Sequence, residues 1–323
     1  MPCARDAAEP IHAIESSPLN DGANSGTLRV KSAASATIPV LVCTLAIFLL
    51  SAMDAGMKSL VIAVGVYNVV LWRSLLAALA AAAGWAAHSP VMPGRRALRL
   101  HALRAVIVGI VLITFFWGLA RLPLAEAIGL SFIAPLFALF LAALMLGERI
   151  RAQAIWAGVL GFAGVAVIVA GQFGAGSYSR ETLVGTLSVL VSTLFYALNL
   201  ILTRKQAQIA RPIEIMFFQN LALLLLMGLA APWLASLLPR QYWLPLAGVT
   251  VLSLTGQYLM SWSYARAEAQ YLINTEYTAF IWAILLGWFF FGEAVSWQTL
   301  AGAGLIIISC WIAAKASMPT VEG

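Results

Sequence analysis

The sequence predicts an all-α polytopic membrane protein in which ten transmembrane helices form two inverted five-helix repeats. The first observation is composition: of 323 residues, 62% are hydrophobic and 10% are charged, and the mean hydropathy is +0.92. A soluble globular fold is excluded, because charged residues make up about a quarter of a soluble domain and lie mainly on its surface. The second observation is a series of apolar segments of membrane-spanning length. The third is an internal repeat at a fixed spacing.

The apolar segments define the predicted spans, since a helix needs about 20 apolar residues to cross a bilayer. The ten spans are 38–57, 66–87, 101–120, 124–146, 154–171, 183–203, 213–235, 243–264, 269–291 and 298–315. Residues 1–37 are polar and without periodicity, which predicts a disordered cytoplasmic tail, and residues 316–323 form a second tail. A signal peptide built on the run 40–50 is the alternative for the N-terminal segment.

The basic residues orient these spans. With the N-terminus in the cytoplasm, fourteen of the nineteen lysines and arginines lie on cytoplasmic segments, and three, Arg121, Arg180 and Arg240, lie on the opposite loops. The positive-inside rule therefore predicts an inner-membrane protein with both termini in the cytoplasm. The same rule accounts for the net charge of +6, so no nucleic-acid partner is expected.

The two halves of the sequence repeat each other at a spacing of 145 residues. The matching positions are Trp117, Ala120 and Arg121 with Trp262, Ala265 and Arg266; Gly147 and Glu148 with Gly292 and Glu293; and Asp54 with Asn199. The predicted repeats cover residues 38–171 and 183–315, with five spans each. Because five is odd, the second repeat enters the membrane from the opposite side, which is a recurring plan of secondary transporters.

The sequence resembles the ten-span EamA group of the drug/metabolite transporter superfamily over residues 38–315. The resemblance lies in the stretch from Pro135 through Leu146-Gly147-Glu148-Arg149 to Ala157-Gly158, and in its counterpart from Tyr277 through Phe291-Gly292-Glu293 to Ala301-Gly302. The segment 51–58 is similar to the branch that includes riboflavin and S-adenosylmethionine transporters. The resemblance implies transport of a small-molecule substrate, such as a cofactor-like metabolite; export of amino acids or drugs is the alternative.

Ionisable side chains inside spans cost about 2.5–3.5 kcal/mol on insertion scales, so each needs a partner, water or a functional reason. Towards the outer side lie Asp54, Lys58, Arg73 and Glu126. Asp54 and Lys58 are four residues apart on one helical face and are expected to pair. We interpret Asp54, Lys58 and Glu126 as gating or ion-pair residues and Arg73 as a substrate-binding residue. The alternatives are that Lys58 and Arg73 extend to the lipid headgroups and that Glu126 is solvated.

Towards the inner side the spans carry amides and acids, among them Asn199 and Glu276, which are candidate substrate-binding residues, and no base is expected within these spans. Glu276 stands apart because no basic residue lies within seven positions of it. It is a candidate either for proton exchange with the solution or for recognition of a substrate amine. By contrast, Glu148 and Glu293 follow glycines at helix ends and are interpreted as turn or cap residues. The two polar layers are expected to flank a cavity at the centre of the membrane.

Aromatic side chains complete the predicted site. Tyr271 and Tyr277, with Asn274 and Glu276 between them, could stack on a planar substrate and hydrogen-bond its edges. Trp117 and Trp282 are further candidates, although most aromatic residues near spans belong to the interfacial belt or to helix packing.

No motif for enzymatic chemistry is present in the sequence. HExxH, GxSxG, P-loop and CxxC patterns are all missing, so neither a metal nor a cofactor is expected. The sequence therefore favours a secondary transporter over an intramembrane enzyme or a non-transport membrane protein. A monomer or a homodimer is expected, because one chain already contains both repeats.

Overall fold

A computed structural model describes residues 25–87, 92–146, 152–174, 179–207, 210, 212–266, 272 and 275–316. Within these ranges every regular element is a helix. The helices are α1 (Ser25–Val64), α2 (Val66–Ala87), α3 (Arg95–Leu119), α4 (Leu124–Ser131), α5 (Ala134–Leu146), α6 (Ala152–Gly174), α7 (Arg180–Ala207), α8 (Pro212–Leu234), α9 (Arg240–Tyr264), α10 (Thr278–Phe291) and α11 (Trp297–Ala316).

The outer surface of the bundle is apolar. Large side chains face outwards, among them Trp156, Trp233, Leu244 and Phe289, each more than two thirds exposed. A soluble protein would bury such side chains, whereas lipid tails accommodate them. In α1, α2, α3, α7 and α8, long segments also have the length and composition of membrane spans. The chain is therefore a multi-pass membrane protein, as its composition predicted.

The helices pack mainly in pairs that join the first half of the chain to the second. Helix α1 packs along α9, α2 against α8, α3 along α7, and α6 along α11. The shorter helices follow the same rule, because α4 contacts α10 and α5 contacts α7. Two further contacts, α1 with α10 and α3 with α8, complete the interior. Most of the buried surface thus lies between the two halves.

Small residues allow the closest of these pairs to form. A Cβ atom on Gly164 of α6 would lie 2.6 Å from the carbonyl oxygen of Gly302, and one on Gly302 of α11 would lie 2.5 Å from that of Gly164. Contacts this short exclude any side chain at either position. The backbones of α6 and α11 therefore touch directly, the type of packing that membrane helices use in place of hydrophobic burial.

The predicted span 124–146 is broken, which corrects its interpretation as one helix. It divides into α4 and α5 at residues 132–133, where turn hydrogen bonds run from Phe132 N to Gly129 O and from Ile133 N to Leu130 O. Pro135 causes the break, because a residue without an N–H fits the first turn of a new helix better than a helix interior.

The predicted span 269–291 shows a similar turn at Tyr277, directly before α10. No proline is present there. Instead, the hydroxyl groups of Thr275 and Thr278 donate to the carbonyl oxygens of Leu272 and Thr275, each at 2.6 Å. Such side-chain bonds to the preceding turn compete with the helical backbone bonds and bend the chain.

Two helices begin earlier than the sequence predicted. Helix α1 begins at Ser25, so residues 25–37, where disorder was expected, precede the first span as helix. Helix α3 begins at Arg95 instead of residue 101. His101 and Arg104, at the start of the predicted span 101–120, are therefore about two turns into the helix and lie inside the bundle. His101 is fully buried.

Candidate functional site

Arg73 of α2 lies at the junction of three helices. Its Nη2 donates a hydrogen bond of 2.6 Å to Ser253 Oγ of α9, and Gln257 Nε2 donates to the same hydroxyl oxygen at 2.9 Å. Asp54 of α1 interacts electrostatically with the guanidinium group. The Nε of Arg73 is buried and has no hydrogen-bond partner among the described residues. We call Asp54, Arg73, Ser253 and Gln257 the Arg73 cluster; it contains a half-buried cation with a spare donor.

A second arginine, Arg104 of α3, begins a longer chain of buried polar groups. Arg104 Nε donates to Asn199 Oδ1 at 2.8 Å, and its Nη1 donates to Gln206 Oε1 at 2.5 Å. The Gln206 amide nitrogen then donates to His101 Nδ1, at 2.5 Å. The remaining imidazole nitrogen, Nε2, lies 3.3 Å from Glu214 Oε1 of α8. We call these five residues the Arg104 cluster.

The direction of these bonds defines the state of the histidine. Because the oxygen of the Gln206 side chain accepts from Arg104, its amide nitrogen is the group that faces His101. His101 Nδ1 therefore accepts in this arrangement, and a proton on Nε2 would be directed towards Glu214.

The Arg104 cluster corrects the prediction that no base lies within the spans on the inner side. Asn199 was predicted as a site residue, whereas Arg104, His101 and Gln206 were missed. The sequence did contain a signal for Arg104. This residue follows Arg95, Arg96 and Arg99 but lies farther into the apolar segment, where an arginine needs polar partners.

Glu276 lies among tyrosines. The hydroxyl of Tyr264, at the end of α9, donates a hydrogen bond to Glu276 Oε1. Tyr196 of α7 interacts electrostatically with both Glu276 and Arg104. Its side chain is 44% exposed. Tyr196 therefore lies within electrostatic range of both charged groups.

The other predicted aromatic residues are distributed around this region. Tyr277 contacts Phe132 edge to face, with ring centroids 5.5 Å apart, and the Cys310 thiol donates to the carbonyl oxygen of Phe132 at 3.2 Å. Trp282 packs against Phe48 of α1 at 4.9 Å, and its indole N–H is buried without an acceptor in the described part of the chain. Tyr271 and Asn274 lie outside the described residues.

Lys58 has a different ion partner from the one its spacing predicted. Instead of pairing with Asp54, four residues earlier, it forms an ion pair with Glu293, directly after α10. Its ammonium group also donates to the carbonyl oxygen of Leu122 at 2.6 Å, and Glu293 accepts from the N–H of Leu124 at 2.6 Å. Lys58 is only 4% exposed. The ion pair therefore ties α1 to the start of α4 and the end of α10.

Glu126 lies beside this ion pair. It interacts electrostatically with Lys58 and lies 3.3 Å from the hydroxyl of Thr299 in α11. We call Lys58, Glu126 and Glu293 the Lys58 network. Glu293 was interpreted from the sequence as a turn residue. Its role as an ion partner could have been inferred from Lys58, because a buried lysine requires an acidic partner.

A cavity of about 740 Å³ opens at the end of the bundle nearest the Lys58 network. Tyr67, Trp117, Arg121 and Glu181 supply its polar and aromatic groups, and apolar residues of α1, α2, α3 and α8 form the rest. The guanidinium of Arg121 lies 3.5 Å from the centre of the Trp117 ring. Of the predicted site residues that the structure describes, only Trp117 lines this cavity. We call it the mouth cavity, because Arg73 and Glu276 lie deeper.

Metal ligation has no support in the described ranges, where no group of three or more histidine, cysteine, aspartate or glutamate residues could hold an ion. Cys43 and Cys310 are free thiols. The described residues therefore form two partly buried arginine clusters, and the Glu276 carboxylate and the mouth cavity lie in the same apolar bundle.

Comparison with known proteins gives consistent results. The family model for EamA-like transporters matches residues 36–170 and again residues 183–314. The pseudopaline exporter of Pseudomonas aeruginosa strain UCBPP-PA14 is 29% identical over 278 residues, which cover 84% of this chain and 94% of the exporter. The riboflavin transporter of Rhizobium johnstonii is 30% identical over 214 residues, or 64% of this chain and 67% of that transporter.

A solved crystal structure matches 90% of this chain and 100% of its own, with a TM-score of 0.60 and 20% sequence identity. At this identity the likeness concerns the fold alone.

Proposed function

Because the chain belongs to the EamA-like transporter family, we propose that it is a secondary transporter that moves a small polar metabolite across the inner membrane by alternating access. The observation that carries this proposal is the presence of two arginine clusters inside an apolar bundle. Buried charges without a full set of protein partners are costly in a membrane protein and typically lie along substrate or ion pathways. The mouth cavity supplies an entrance towards the Arg73 cluster.

Alternating access is part of the proposal because the helix packing has an approximate two-fold symmetry. The repeat makes α1, α2 and α3 equivalent to α7, α8 and α9, respectively. Exchanging each helix for its equivalent turns the α1–α9 contact into the α7–α3 contact, and the α2–α8 contact is converted into itself. The α6–α11 contact is also converted into itself. This exchange supports ten spans arranged as two inverted five-helix repeats, whose halves would trade conformations during transport.

Equivalent residues of the two halves make the same contacts. Arg121 stacks on Trp117 at 3.5 Å and donates to its carbonyl oxygen at 3.0 Å; Arg266 stacks on Trp262 at 4.2 Å and donates to its carbonyl oxygen at 3.2 Å. These pairs follow from the sequence repeat of 145 residues, and they support a common origin of the local structure in both halves.

A contact between equivalent residues marks the proposed axis. Phe132 and Tyr277 are 145 residues apart in sequence, and both lie at the breaks that precede α5 and α10. Their rings touch, with centroids 5.5 Å apart. Residues related by a two-fold axis meet each other only near that axis, so the axis passes between the two broken helices.

The orientation is proposed from the basic residues. With Arg104 counted as a helix residue, thirteen lysines and arginines lie on one side of the bundle and three on the other. The positive-inside rule then puts both termini in the cytoplasm and the mouth cavity on the outer side. In this orientation the Lys58 network closes the outer end of the pathway as a gate.

The proposed substrate is a small polar metabolite of the size of a cofactor. The names of the relatives, a pseudopaline exporter and riboflavin transporters, favour riboflavin or another compound of that size; S-adenosylmethionine is a further candidate. Glu276 is proposed to bind a substrate nitrogen or to exchange a proton during the cycle, which would couple transport to the proton gradient.

The test is flux into proteoliposomes that contain the purified chain. Riboflavin, S-adenosylmethionine and neutral and aromatic amino acids are supplied one at a time, with and without a pH gradient. Flux of at least one compound above that of empty liposomes is expected, and Glu276→Gln is expected to abolish its response to the pH gradient. Glu181→Gln is the matched control, since Glu181 is exposed at the mouth cavity. If the response of the flux to the pH gradient is unchanged in Glu276→Gln, the proposed role of Glu276 in proton coupling is refuted.

A further inference from the structure

His101, near the start of α3, is a buried imidazole with partners on two other helices. The amide nitrogen of Gln206, from α7, lies 2.5 Å from its Nδ1, and Glu214 Oε1, from α8, lies 3.3 Å from its Nε2. The ring also stacks on Phe218 of α8, with centroids 5.5 Å apart. His101 and Gln206 have no exposed surface, whereas the Glu214 side chain is 15% exposed. Glu214 therefore connects the buried imidazole to the surface of the bundle.

The side chain of Gln206 joins this imidazole to Arg104. Its Oε1 accepts from Arg104 Nη1 at 2.5 Å, and its amide nitrogen donates to His101 Nδ1 at 2.5 Å. An amide oxygen can only accept and an amide nitrogen can only donate. Because both ends of the amide are in use, the amide keeps this orientation only while Nδ1 of His101 has a free lone pair. The bond to Arg104 and the protonation of Nδ1 are therefore linked through one side chain.

A second proton on His101 would place two donors against each other. The imidazolium donates at both nitrogens, so the Gln206 amide nitrogen would meet an N–H at Nδ1. A half-turn of the amide would present its oxygen to His101, but it would also turn the amide nitrogen towards Arg104, which is itself a donor. At Nε2 the same proton converts the contact with Glu214 into a charge-assisted bond. Gln206 thus cannot accept from Arg104 and satisfy a doubly protonated His101 in one orientation.

We infer that His101 and Gln206 form a pH switch near the start of α3, in which protonation of His101 removes Gln206 as an acceptor for Arg104 and tightens the contact with Glu214. Histidine is the side chain that ordinarily changes its charge between about pH 5 and 8. Because Gln206 belongs to α7 and Glu214 to α8, the switch moves the polar attachment of α3 from α7 towards α8. It is a property of the folded chain and goes beyond the proposed function, since it does not depend on transport.

The groups around His101 single out Gln206 as the sensor of its protonation. In the described part of the chain two charged side chains belong to this group, Glu214 from α8 and Arg104 from the same helix as His101. The contact from α7 is the neutral amide of Gln206, and the adjacent Lys205 is exposed. Helix α2 reaches this region with an aromatic ring and without a charged side chain.

Nitrogen-15 NMR of the histidine ring tests the switch directly. The chain contains three histidines, and changing His12 and His88 to glutamine leaves His101 as the sole imidazole. This full-length chain is labelled with nitrogen-15 histidine, reconstituted in lipid and followed from about pH 8 to about pH 5. At the higher pH we expect a proton on Nε2 and none on Nδ1, and at the lower pH a proton on both. A proton on Nδ1 at the higher pH, or a ring that stays neutral at the lower pH, would overturn the switch.

Gln206→Glu is expected to reverse the preference at Nδ1. A carboxylate accepts from Arg104 and from His101 at once, so Nδ1 should keep its proton even at about pH 8. Lys205→Gln is the matched control, because it shifts the net charge in the same direction at an exposed neighbour on α7. This control should leave the His101 titration unchanged. Equal titrations in the two variants would show that net charge, and not the amide of Gln206, governs His101.

The link to Arg104 is tested through its reciprocity. If protonation of His101 removes a bond from Arg104, loss of that bond must favour protonation by the same free energy. Arg104→Lys keeps the charge but loses the fork that spans Asn199 and Gln206. The midpoint of the His101 titration is therefore expected to rise by about one pH unit, which corresponds to one charge-assisted hydrogen bond. Arg99→Lys, at an exposed arginine of the same helix, should not move it.

The outcomes separate this inference from the proposed function. An unchanged midpoint in Arg104→Lys would overturn the link between the proton and the arginine. The measurement on the chain with native Arg104 and Gln206 remains decisive even if one of their variants fails to fold. None of these readouts uses flux, so failure of the switch leaves the transport function standing, and an absence of flux leaves the switch standing.

Discussion

Removing the ammonium group of Lys58 is expected to open the mouth end of the bundle. Lys58→Met keeps the length of the side chain but deletes its ion pair with Glu293 and its hydrogen bond to the Leu122 carbonyl. Lys58 is 4% exposed and Glu293 is 17% exposed, so the pair is largely shielded from water. Breaking one partner of a buried pair costs about 3–5 kcal/mol, and the partial exposure of Glu293 favours the lower end.

This cost falls on the conformation in which the ion pair is formed. A loss of about 3 kcal/mol shifts an equilibrium between two conformations by about 100-fold, since every 1.4 kcal/mol is a factor of ten. The assay is the rate at which a membrane-impermeant maleimide, added from outside, labels a cysteine at Ser51. That residue lies on α1 about two turns to the cytoplasmic side of Lys58 and is 5% exposed. The native cysteines are replaced by serine beforehand.

Labelling of the Ser51 cysteine is expected to be at least tenfold faster in Lys58→Met and in Glu293→Gln. The two effects should not add in the double variant, because both delete the same interaction. Lys205→Met, at an exposed lysine, is the control and should leave the rate unchanged. Unchanged labelling in both single variants, with unaltered thermal stability, would refute the role of the ion pair as a gate.

Two further predictions concern the packing of α6 against α11 and the Arg73 cluster. Gly302→Ala should destabilise the chain by about 1–3 kcal/mol, because the new methyl group would overlap the Gly164 carbonyl. Thermal unfolding measures this loss of stability. The control is Gly304→Ala, which should be close to neutral because its methyl group would meet no atom within 4 Å. Equal effects of the two changes would contradict the close approach of α6 and α11. Arg73→Lys should lower flux about tenfold through loss of the directed bond to Ser253, measured in proteoliposomes; flux at the unaltered level would show that this contact is dispensable.

The sequence predicted the all-helical membrane fold well because the bilayer imposes a strong and local constraint. Apolar segments of sufficient length identify helices without knowledge of their partners. The start of α3 was misjudged because basic residues at 95–104 interrupt the apolar run, although they continue the helix. This error hid His101 and Arg104, whose position in the interior depends on partners in α7 and α8.

The partners of charged residues were the least predictable feature. Lys58 and Glu293 are 235 positions apart in sequence, so spacing along one helix pointed instead to Asp54. Asp54, Arg73, Asn199 and Glu276 were selected as candidates because a polar residue deep in a span needs a reason to be there. Which groups surround them follows from helix packing, and a single sequence does not contain that information in local form.

Counterflow across proteoliposomes tests the central claim of a carrier most directly. Liposomes with the purified chain are preloaded with an unlabelled transported solute and then exposed to a trace of the same labelled solute. A carrier that alternates between two faces is expected to accumulate the label transiently above its external concentration, and Arg104→Gln is expected to lose this overshoot. Equilibration of the label without an overshoot would contradict alternating access and indicate a channel-like pathway instead.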